Sequence, residues 1–235
     1  MTNATREPVL FLIATPIGNL GDISQRAITT LREADLVLAE DTRAYRKLAS
    51  FFSIETKCLS YYEHNELGRT SQVVKLFLEE GVSVALISEA GTPAISDPGY
   101  RLINECHNLG IRVSTVPGPC AAIAALSMSG FGGSKFYFEG FLPKKKGKKK
   151  KALEACVDRD VATIIYESPH AIIATLEHLE ELDPQREIFA ARELTKIHEE
   201  GLRGKAGDLL SKLGEKTKIR GEFVVVVLPR NKNGI

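Results

Sequence analysis

The chain has 235 residues, of which 43% are hydrophobic and 26% are charged, and its formal net charge is +1. These values are ordinary for a globular protein with one large or two modest domains. No apolar run approaches the roughly 20 residues that cross a bilayer, and the polar N-terminus does not resemble the apolar core of a signal peptide. We therefore expect a cytoplasmic protein with no membrane partner.

Alternating strand and helix patterns predict a first domain, residues 1–130. Strand-like runs predict strands at 9–13, 35–39, 82–87 and 112–116. Helical spacing of apolar residues predicts helices at 23–33, 43–51, 68–80 and 100–109. This β-α-β-α order indicates a largely parallel sheet.

A glycine-rich segment, FGGS at 131–134, separates the first domain from a second, residues 131–235. The second domain is predicted to contain strands at 135–141, 162–166, 187–191 and 222–228. Its helices are predicted at 148–157, 170–181 and 205–213. The fold class is therefore α/β with two units, and the pattern leaves the strand order of the second unit open.

Three predicted strands of the first domain run into loops of small residues, glycine and proline, at 14–22, 88–99 and 117–120. Open α/β sheets bind ligands at the carboxyl ends of their strands, where glycine permits close approach and proline holds a loop in shape. The loop at 88–99 is far longer than the roughly four residues of a simple turn. We therefore expect the three loops to converge on one crevice. The first loop does not have the GxGxxG spacing of a dinucleotide site, which argues against NAD.

Neither the cysteines nor the histidines have the spacing of a metal site or a disulfide framework. The cysteines stand at positions 58, 106, 120 and 156 without a CxxC pair, and no two histidines form an HxxxH pair. We expect no metal, and we expect the cysteines to be small buried side chains.

Eight segments in chain order resemble the tetrapyrrole methylase family, and within it the group that methylates small-subunit ribosomal RNA. They are LFLIATPIGNLGDIS, LAEDTR, LISEAGTPAISDPG, VPGP, FLPKKKG, YESPH, ARELTKIHEE and RGEF, and they span roughly residues 9 to 228. The resemblance implies two α/β domains of the tetrapyrrole methylase type, with S-adenosyl-L-methionine in the cleft between them. It also implies a homodimer that methylates the ribose 2′-hydroxyl of a cytidine in 16S rRNA, within the small ribosomal subunit.

By motif match, the resemblance implies that residues of both domains meet the cofactor. In the first domain, which is predicted to end with a helix of small residues after Pro119, these are Thr15, Pro16, Ala90, Gly91, Thr92, Pro93, Ala121 and Ala122. In the second domain they are Tyr166, Glu167, Ala191, Arg192, Glu222 and Phe223.

Methyl transfer to a ribose hydroxyl is an in-line displacement, so the enzyme supplies alignment and a route for the hydroxyl proton. Because that hydroxyl is a very weak acid, a base or a stabilising charge would help. The catalytic candidates are Asp97, Arg192, Glu193 and Lys196, and Glu40, Asp41 and Glu167 are further possible bases. The alternative for Arg192 and Glu193 is that they pair with each other or cap a helix.

A lysine run is the strongest electrostatic feature of the sequence. It contains Lys144, Lys145, Lys146, Lys148, Lys149, Lys150 and Lys151. Such a block is usually a solvated, mobile segment or an interaction arm. Its position beside Phe138 and Phe141 favours contact with RNA phosphates.

Two other functions are compatible with the sequence. A relative could methylate a tetrapyrrole precursor or a modified amino acid, although the lysine run argues against a small tetrapyrrole. An RNA-binding assembly factor could keep the cofactor fold without catalysis, although the intact loops at 14–19 and 88–99 argue against this.

Overall fold

The computed structural model describes residues 7–131, 133–215 and 218–229. It divides into two compact units, residues 1–120 and 121–235. The sequence predicted the boundary after residue 130, and the difference comes from helix α5 (Ala121–Ser129), which packs on the strands of the second unit. Within the described residues, no helix is long and apolar enough to cross a membrane.

The first unit is built on a parallel five-stranded sheet. Its strands are β1 (Val9–Ile13), β2 (Leu36–Ala39), β3 (Cys58–Ser60), β4 (Ser83–Ile87) and β5 (Arg112–Val116). Its helices are α1 (Gln25–Glu33), α2 (Thr42–Phe51), α3 (Glu66–Glu80) and α4 (Tyr100–Asn108), with a short 3-10 turn at Leu20–Asp22. The strand order is β3-β2-β4-β1-β5, and all neighbouring strands are parallel. The four predicted strands are confirmed, and β3 adds an edge strand.

Local sequence explains these elements. Strands β2 and β4 are buried along their whole length and contain only apolar or small residues, as inner strands of a parallel sheet do. Ser24 caps α1 by accepting a hydrogen bond from the backbone N–H of Ala27 at 3.1 Å. The buried faces of α1 and α2 repeat every three to four residues and join one core cluster, which includes Ala27, Ile28, Leu31, Tyr45, Leu48 and Ala49.

The second unit contains a mixed sheet. Its strands are β6 (Phe136–Phe141), β7 (Ala162–Glu167), β8 (Glu187–Arg192), β9 (Glu200–Lys205) and β10 (Phe223–Val227). Its helices are α5, α6 (Lys146–Asp158), α7 (Ile172–Leu182) and α8 (Ala206–Gly214). The strand order is β6-β7-β10-β8-β9, in which β6 is parallel to β7 and the other pairs are antiparallel.

Strand β9 was not predicted from the sequence. Its residues, EGLRGK, are mostly glycine or charged and alternate between partly and fully exposed, so no apolar run marks the strand. It forms because its backbone pairs with β8 along the full length of both strands.

One edge of the second sheet gathers residues that are distant in sequence. Phe223, at the start of β10, pairs with Glu167 at the end of β7 and with Arg192 at the end of β8. The next residue, Val224, pairs with Tyr166 and Ala191. Five of the predicted cofactor residues, Tyr166, Glu167, Ala191, Arg192 and Phe223, therefore lie side by side.

Candidate active site

Hydrogen bonds join the loops that follow β1, β4 and β5. Thr15 N donates to Gly91 O at 2.9 Å, and Gly91 N donates to Thr15 O at 3.1 Å. Thr92 Oγ1 donates to Pro119 O at 3.4 Å. The structure thus brings the three small-residue loops together at the carboxyl edge of the first sheet, as the sequence predicted.

Gly91, at this junction, has a backbone conformation that favours glycine. Its φ of +79° lies in the region that glycine favours. A Cβ there would lie 3.4 Å from Ile17 Cγ2 and 3.6 Å from Pro119 O, which is ordinary van der Waals contact, so the space itself does not exclude a side chain. The preference for glycine at this junction therefore comes from its backbone conformation.

Both ends of the loop at 88–99 are held by side chains. Ser88 Oγ lies 3.2 Å from the carbonyl oxygen of Ala90 and 3.2 Å from that of Gly91, within hydrogen-bond distance of both. At the other end, Gly99 N donates to Glu66 Oε1 at 3.1 Å. These contacts hold the loop in one shape before any ligand arrives.

The middle of the same loop contains strained backbone. Ala94 has a φ of +64° and Ser96 a φ of +67°, which L residues rarely adopt. Such residues cost of the order of 1–3 kcal/mol each and persist where the surroundings over-determine them, often at ligand sites.

Three carboxylates lie near the ends of β2 and β4. Burial, together with the negative charge of Glu40, raises the pKa of Asp97 to about 6, although a hydrogen bond with Ser88 opposes the shift. Burial and the charge of Glu89 likewise raise the pKa of Glu40. Asp97 therefore changes charge near neutral pH, where a carboxylate is an effective proton acceptor.

Glu89 also lines an open cleft of about 230 Å³ in the first unit. The lining comes from the ends of β1 and β4, from the loop at 15–20 and from one face of α2. On that face the cleft is bounded by Ala44, Tyr45, Lys47 and Leu48. The cleft therefore combines an apolar wall with one cation and one carboxylate.

A charged cluster follows β8 in the second unit. Lys196 Nζ donates to Glu193 Oε1 at 2.8 Å and to Glu222 Oε2 at 3.0 Å. Arg192 Nη1 lies 3.3 Å from Glu200 Oε2. The structure thus brings the predicted residues Arg192, Glu193 and Lys196 into one region, but Arg192 and Glu193 have different partners and do not pair with each other. Asp97 belongs to the first unit.

The hydrogen bonds of this cluster make Glu193 and Lys196 poor proton acceptors. The hydrogen bond from Lys196 lowers the pKa of Glu193. Burial by itself would lower the pKa of Lys196, but the hydrogen bonds to Glu193 and Glu222 outweigh it, and the pKa is raised. Lys196 remains protonated at neutral pH, so it can stabilise negative charge but cannot remove a proton.

Glu167 is buried and engaged inside the second unit. Lys149 Nζ lies 3.0 Å from Glu167 Oε2, and Thr175 Oγ1 donates to the same oxygen at 2.6 Å. Ser168 N donates to Glu167 Oε1 at 2.9 Å. The Lys149 side chain is only 16% exposed, so its predicted contact with RNA phosphate does not fit its position.

Aromatic rings surround the neighbouring position on β7. The ring of Tyr166 meets Phe138 at 5.1 Å and Phe141 at 5.4 Å, both edge to face. Ala191 and Phe223, in contrast, are buried in the sheet. Of these residues, Phe141 is the most exposed.

Comparison with known proteins assigns the chain to a family. The family model of the Tetrapyrrole (Corrin/Porphyrin) Methylases matches residues 9–210. The chain belongs to the tetrapyrrole methylase family. Within it, the chain is 46% identical to the ribosomal RNA small subunit methyltransferase I of Thermotoga maritima, covering 93% of this chain and 97% of that one. It is also 46% identical to the protein of that name from Vibrio cholerae, covering 94% of this chain and 77% of the relative.

Solved structures agree with the tetrapyrrole methylase fold. Diphthine synthase superposes with a TM-score of 0.70 at 15% identity, covering 94% of this chain and 90% of the other. A uroporphyrin-III-C-methyltransferase from Thermus thermophilus superposes with a TM-score of 0.63 at 19% identity, covering 94% of both chains. At this identity the likeness establishes the fold alone.

In this tetrapyrrole methylase the lysine run is helical. Residues 146–151 form the first turns of α6. Every lysine of the run except Lys149 is exposed: Lys144, Lys145, Lys146, Lys148, Lys150 and Lys151. Among the remaining predicted cofactor residues, Ala121 and Ala122 begin α5, and the Glu222 side chain is 80% exposed.

Two residues of the first unit were not among the residues that the sequence predicted for the site. They are Lys47 and Glu89, which line the cleft. The only signal for Lys47 was its spacing from Ala44 and Leu48, which places the three residues on one helix face. That spacing indicates a site only when α2 is known to lie beside the ends of β1 and β4. In the described part of the chain, no group of three or more His, Cys, Asp and Glu side chains could hold a metal.

Proposed function

We propose that this protein is an S-adenosyl-L-methionine-dependent methyltransferase of ribosomal RNA. Its proposed acceptor is the ribose 2′-hydroxyl of a cytidine in 16S rRNA, within the small ribosomal subunit in the cytoplasm. The observation that carries the proposal is the 46% identity that extends over 97% of the Thermotoga relative. A homodimer stays a prediction from the family resemblance.

The loops of the first unit fit a small ligand that meets backbone closely. The paired hydrogen bonds between Thr15 and Gly91 hold two loops together, and the positive φ of Gly91 favours glycine at their junction. We assign cofactor contacts there to Thr15, Pro16, Ala90, Gly91, Thr92 and Pro93. When bound, S-adenosyl-L-methionine supplies an electrophilic methyl group on a sulfonium. The predicted contacts from Ala121, Ala122, Tyr166, Glu167, Ala191, Arg192, Glu222 and Phe223 stay predictions.

Asp97 is the proposed proton acceptor. Its pKa of about 6 leaves it ionised at neutral pH and still able to hold a proton. Lys196 and Glu193 are bound to one another and titrate away from neutrality, which supports an electrostatic role for them instead. Arg192 is held by Glu200 and serves to position the loop after β8.

The exposed lysines of α6 and the turn before it are the proposed contacts to RNA phosphates. Lysine neutralises phosphate charge without reading base identity, so these residues contribute affinity rather than choice of nucleotide. They lie beside the exposed ring of Phe141, which adds a surface on which a base can stack.

Transfer of labelled methyl from S-adenosyl-L-methionine tests the proposal. The acceptors are small ribosomal subunits that lack 2′-O-methylation, naked 16S rRNA and a tetrapyrrole precursor. We expect label at one ribose of the subunit RNA. Label on the tetrapyrrole alone would replace the proposal with a small-molecule methylase. Cofactor binding without transfer to any acceptor would replace it with a non-catalytic RNA-binding protein.

A further inference from the structure

The cleft of the first unit contains charged groups that the transfer chemistry above does not use. It lies where β1 and β4 end against one face of α2, and its volume is about 230 Å³. Pockets for drug-sized ligands are about 300–1,000 Å³, so this cleft suits a single small ring rather than an extended molecule.

The walls of the cleft suit the faces of a planar ring. Leu20, Leu48 and Ile87 contribute apolar lining. Tyr45 also lines the cleft, but its hydroxyl donates to Thr56 O at 3.3 Å and is therefore already satisfied within the protein. An aromatic ligand would bury its faces against these groups without leaving a protein hydroxyl unpaired.

The polar groups of the cleft are complementary in hydrogen bonding. Lys47 and Glu89 both line it and are both exposed, and neither forms an ion pair within the described part of the chain. An ammonium only donates hydrogen bonds and an ionised carboxylate only accepts them. Together they match a ring edge that carries an acceptor and a donor, as the Watson–Crick edge of a nucleobase does.

We propose that this cleft holds the unstacked cytosine of the nucleotide that is methylated, with Glu89 accepting a hydrogen bond from the exocyclic amino group and Lys47 donating one to the ring carbonyl oxygen. This inference rests on the proposed function and names the part of the site that selects the base. Glu89 and Asp97 belong to the same loop at 88–99, so one rigid segment would serve both the base and the ribose hydroxyl.

Glu89 is the residue that distinguishes cytosine from uracil in this arrangement. Uracil has a carbonyl oxygen where cytosine has its amino group, and a carboxylate that can only accept would face that oxygen without a proton between them. A glutamine at the same position both donates and accepts, so it tolerates either base. Lys47, by contrast, meets a carbonyl that the two pyrimidines share.

The experiment compares methyl transfer to small subunits that carry cytidine or uridine at the target, which is first located with the unaltered protein. The unaltered protein should prefer cytidine by about 10- to 100-fold in kcat/KM, the range expected of a specific base contact. E89Q should reduce that preference to about threefold or less. K47M should lower kcat/KM by about tenfold on both substrates. The controls are R46M, an exposed neighbour on α2, and E33Q at the end of α1, which should leave rate and preference unchanged.

Cofactor affinity, measured by calorimetry with S-adenosyl-L-methionine, gives the second readout. It should be unchanged in E89Q and K47M. A loss of cofactor affinity that accounts for the loss of transfer would place the cofactor in the cleft and overturn the inference. An unchanged base preference in E89Q would overturn it while leaving the proposed function intact. If the unaltered protein methylates no subunit RNA, the proposed function fails and the inference fails with it.

Discussion

Asp97 is a half-buried carboxylate whose pKa of about 6 has an identifiable cause, namely burial beside Glu40. A proton acceptor must be ionised, so we expect the methyl-transfer rate to rise with pH through about 6 and then to level off. D97N cannot accept the proton, and the single-turnover rate should fall by about 100-fold or more with loss of this acid limb. The measurement is a single-turnover pH–rate profile at saturating S-adenosyl-L-methionine.

The stability of D97N provides an independent check. A carboxyl group whose pKa is higher in the folded than in the unfolded chain destabilises the fold as it ionises, so stability is lost as pH rises towards 6. D97N should therefore raise the free energy of unfolding at pH 8, by about 1 kcal/mol after allowance for partial exposure, and by less at pH 5. A D97N protein that keeps the acid limb at full rate would remove Asp97 from the mechanism.

Lys149 differs from the lysines around it because it neutralises the buried carboxylate of Glu167. K149M leaves that charge without its ammonium partner, and we expect the free energy of unfolding to fall by about 3 kcal/mol. Urea unfolding followed by circular dichroism measures the change. K150M, at the next and exposed position, should stay within about 0.5 kcal/mol of the unaltered protein.

A double variant separates the ion pair from the packing of the lysine stem. K149M/E167Q removes both charges, so it should recover part of the stability that K149M loses. Equal stability of K149M and K150M would mean that the pair contributes nothing to the fold.

At the scale of elements, Gly99 fixes the junction between the loop at 88–99 and helix α4. Its φ is +143°, and a Cβ there would lie 2.8 Å from Leu86 Cδ2 and 3.0 Å from Ala94 Cβ. G99A should lower the free energy of unfolding by about 2 kcal/mol and weaken the binding of S-adenosyl-L-methionine, because the loop must move to admit the methyl group. Thermal unfolding and calorimetric titration measure the two effects.

Gly68 offers the matched control for that substitution. It lies in helix α3 with nothing within 4 Å of an added Cβ. G68A should therefore stabilise the protein by about 0.5–1 kcal/mol and leave cofactor affinity unchanged. If G99A behaves like G68A, the loop does not depend on the glycine.

The elements that the sequence predicted are those whose signal is local. Strands β1, β2 and β4 are mainly contiguous apolar runs, whereas β5 mixes apolar and polar residues. Glycine and proline mark the loops that follow β1, β4 and β5. Strand β9 has no such run, because β8 and not its own side chains specifies its conformation. Helix α5 was recognised, but its assignment to the second unit depends on packing that spacing along the chain does not encode.

The candidate site, like the fold, was predictable from the sequence only where its signal is local. Composition pointed to the loop at 88–99, whereas the pairing of Thr15 with Gly91 and of Lys149 with Glu167 joins residues far apart in sequence. Nothing in the sequence distinguishes Lys149 from the other lysines of the run, so its partly buried position could not be predicted. Lys47 and Glu89 became candidates only when the sheet order had brought α2 and the end of β4 to the same cleft.

At the scale of the whole molecule, the formal charge of +1 conceals a strong local asymmetry, because six exposed lysines lie between residues 144 and 151. Replacing Lys146, Lys148, Lys150 and Lys151 with alanine should weaken binding to small ribosomal subunits. The slope of log affinity against log salt should become shallower by about 3, as expected for four lost phosphate contacts. Filter binding across a series of potassium chloride concentrations measures both quantities.

A second quadruple variant tests position against net charge. Lys57, Lys75, Lys212 and Lys218 are also exposed, and their replacement by alanine removes the same total charge. We expect this variant to keep nearly the full affinity and slope, and both variants to bind S-adenosyl-L-methionine normally. Equal weakening by the two sets would assign the effect to overall charge and not to α6.

The position of β10 in the second sheet determines the order in which the chain can fold as it is synthesised. The first sheet has all its strands once Val116 has been made. The second sheet is still incomplete when β6 to β9 have been made. Its central strand, β10, lies between β7 and β8 but is the last strand of the described chain. Until residues 223–227 leave the ribosome, the pairs β6–β7 and β8–β9 each present an unpaired edge. At this stage the nascent chain has every strand of the first sheet but lacks the central strand of the second, whose two unpaired edges are open to association with other chains.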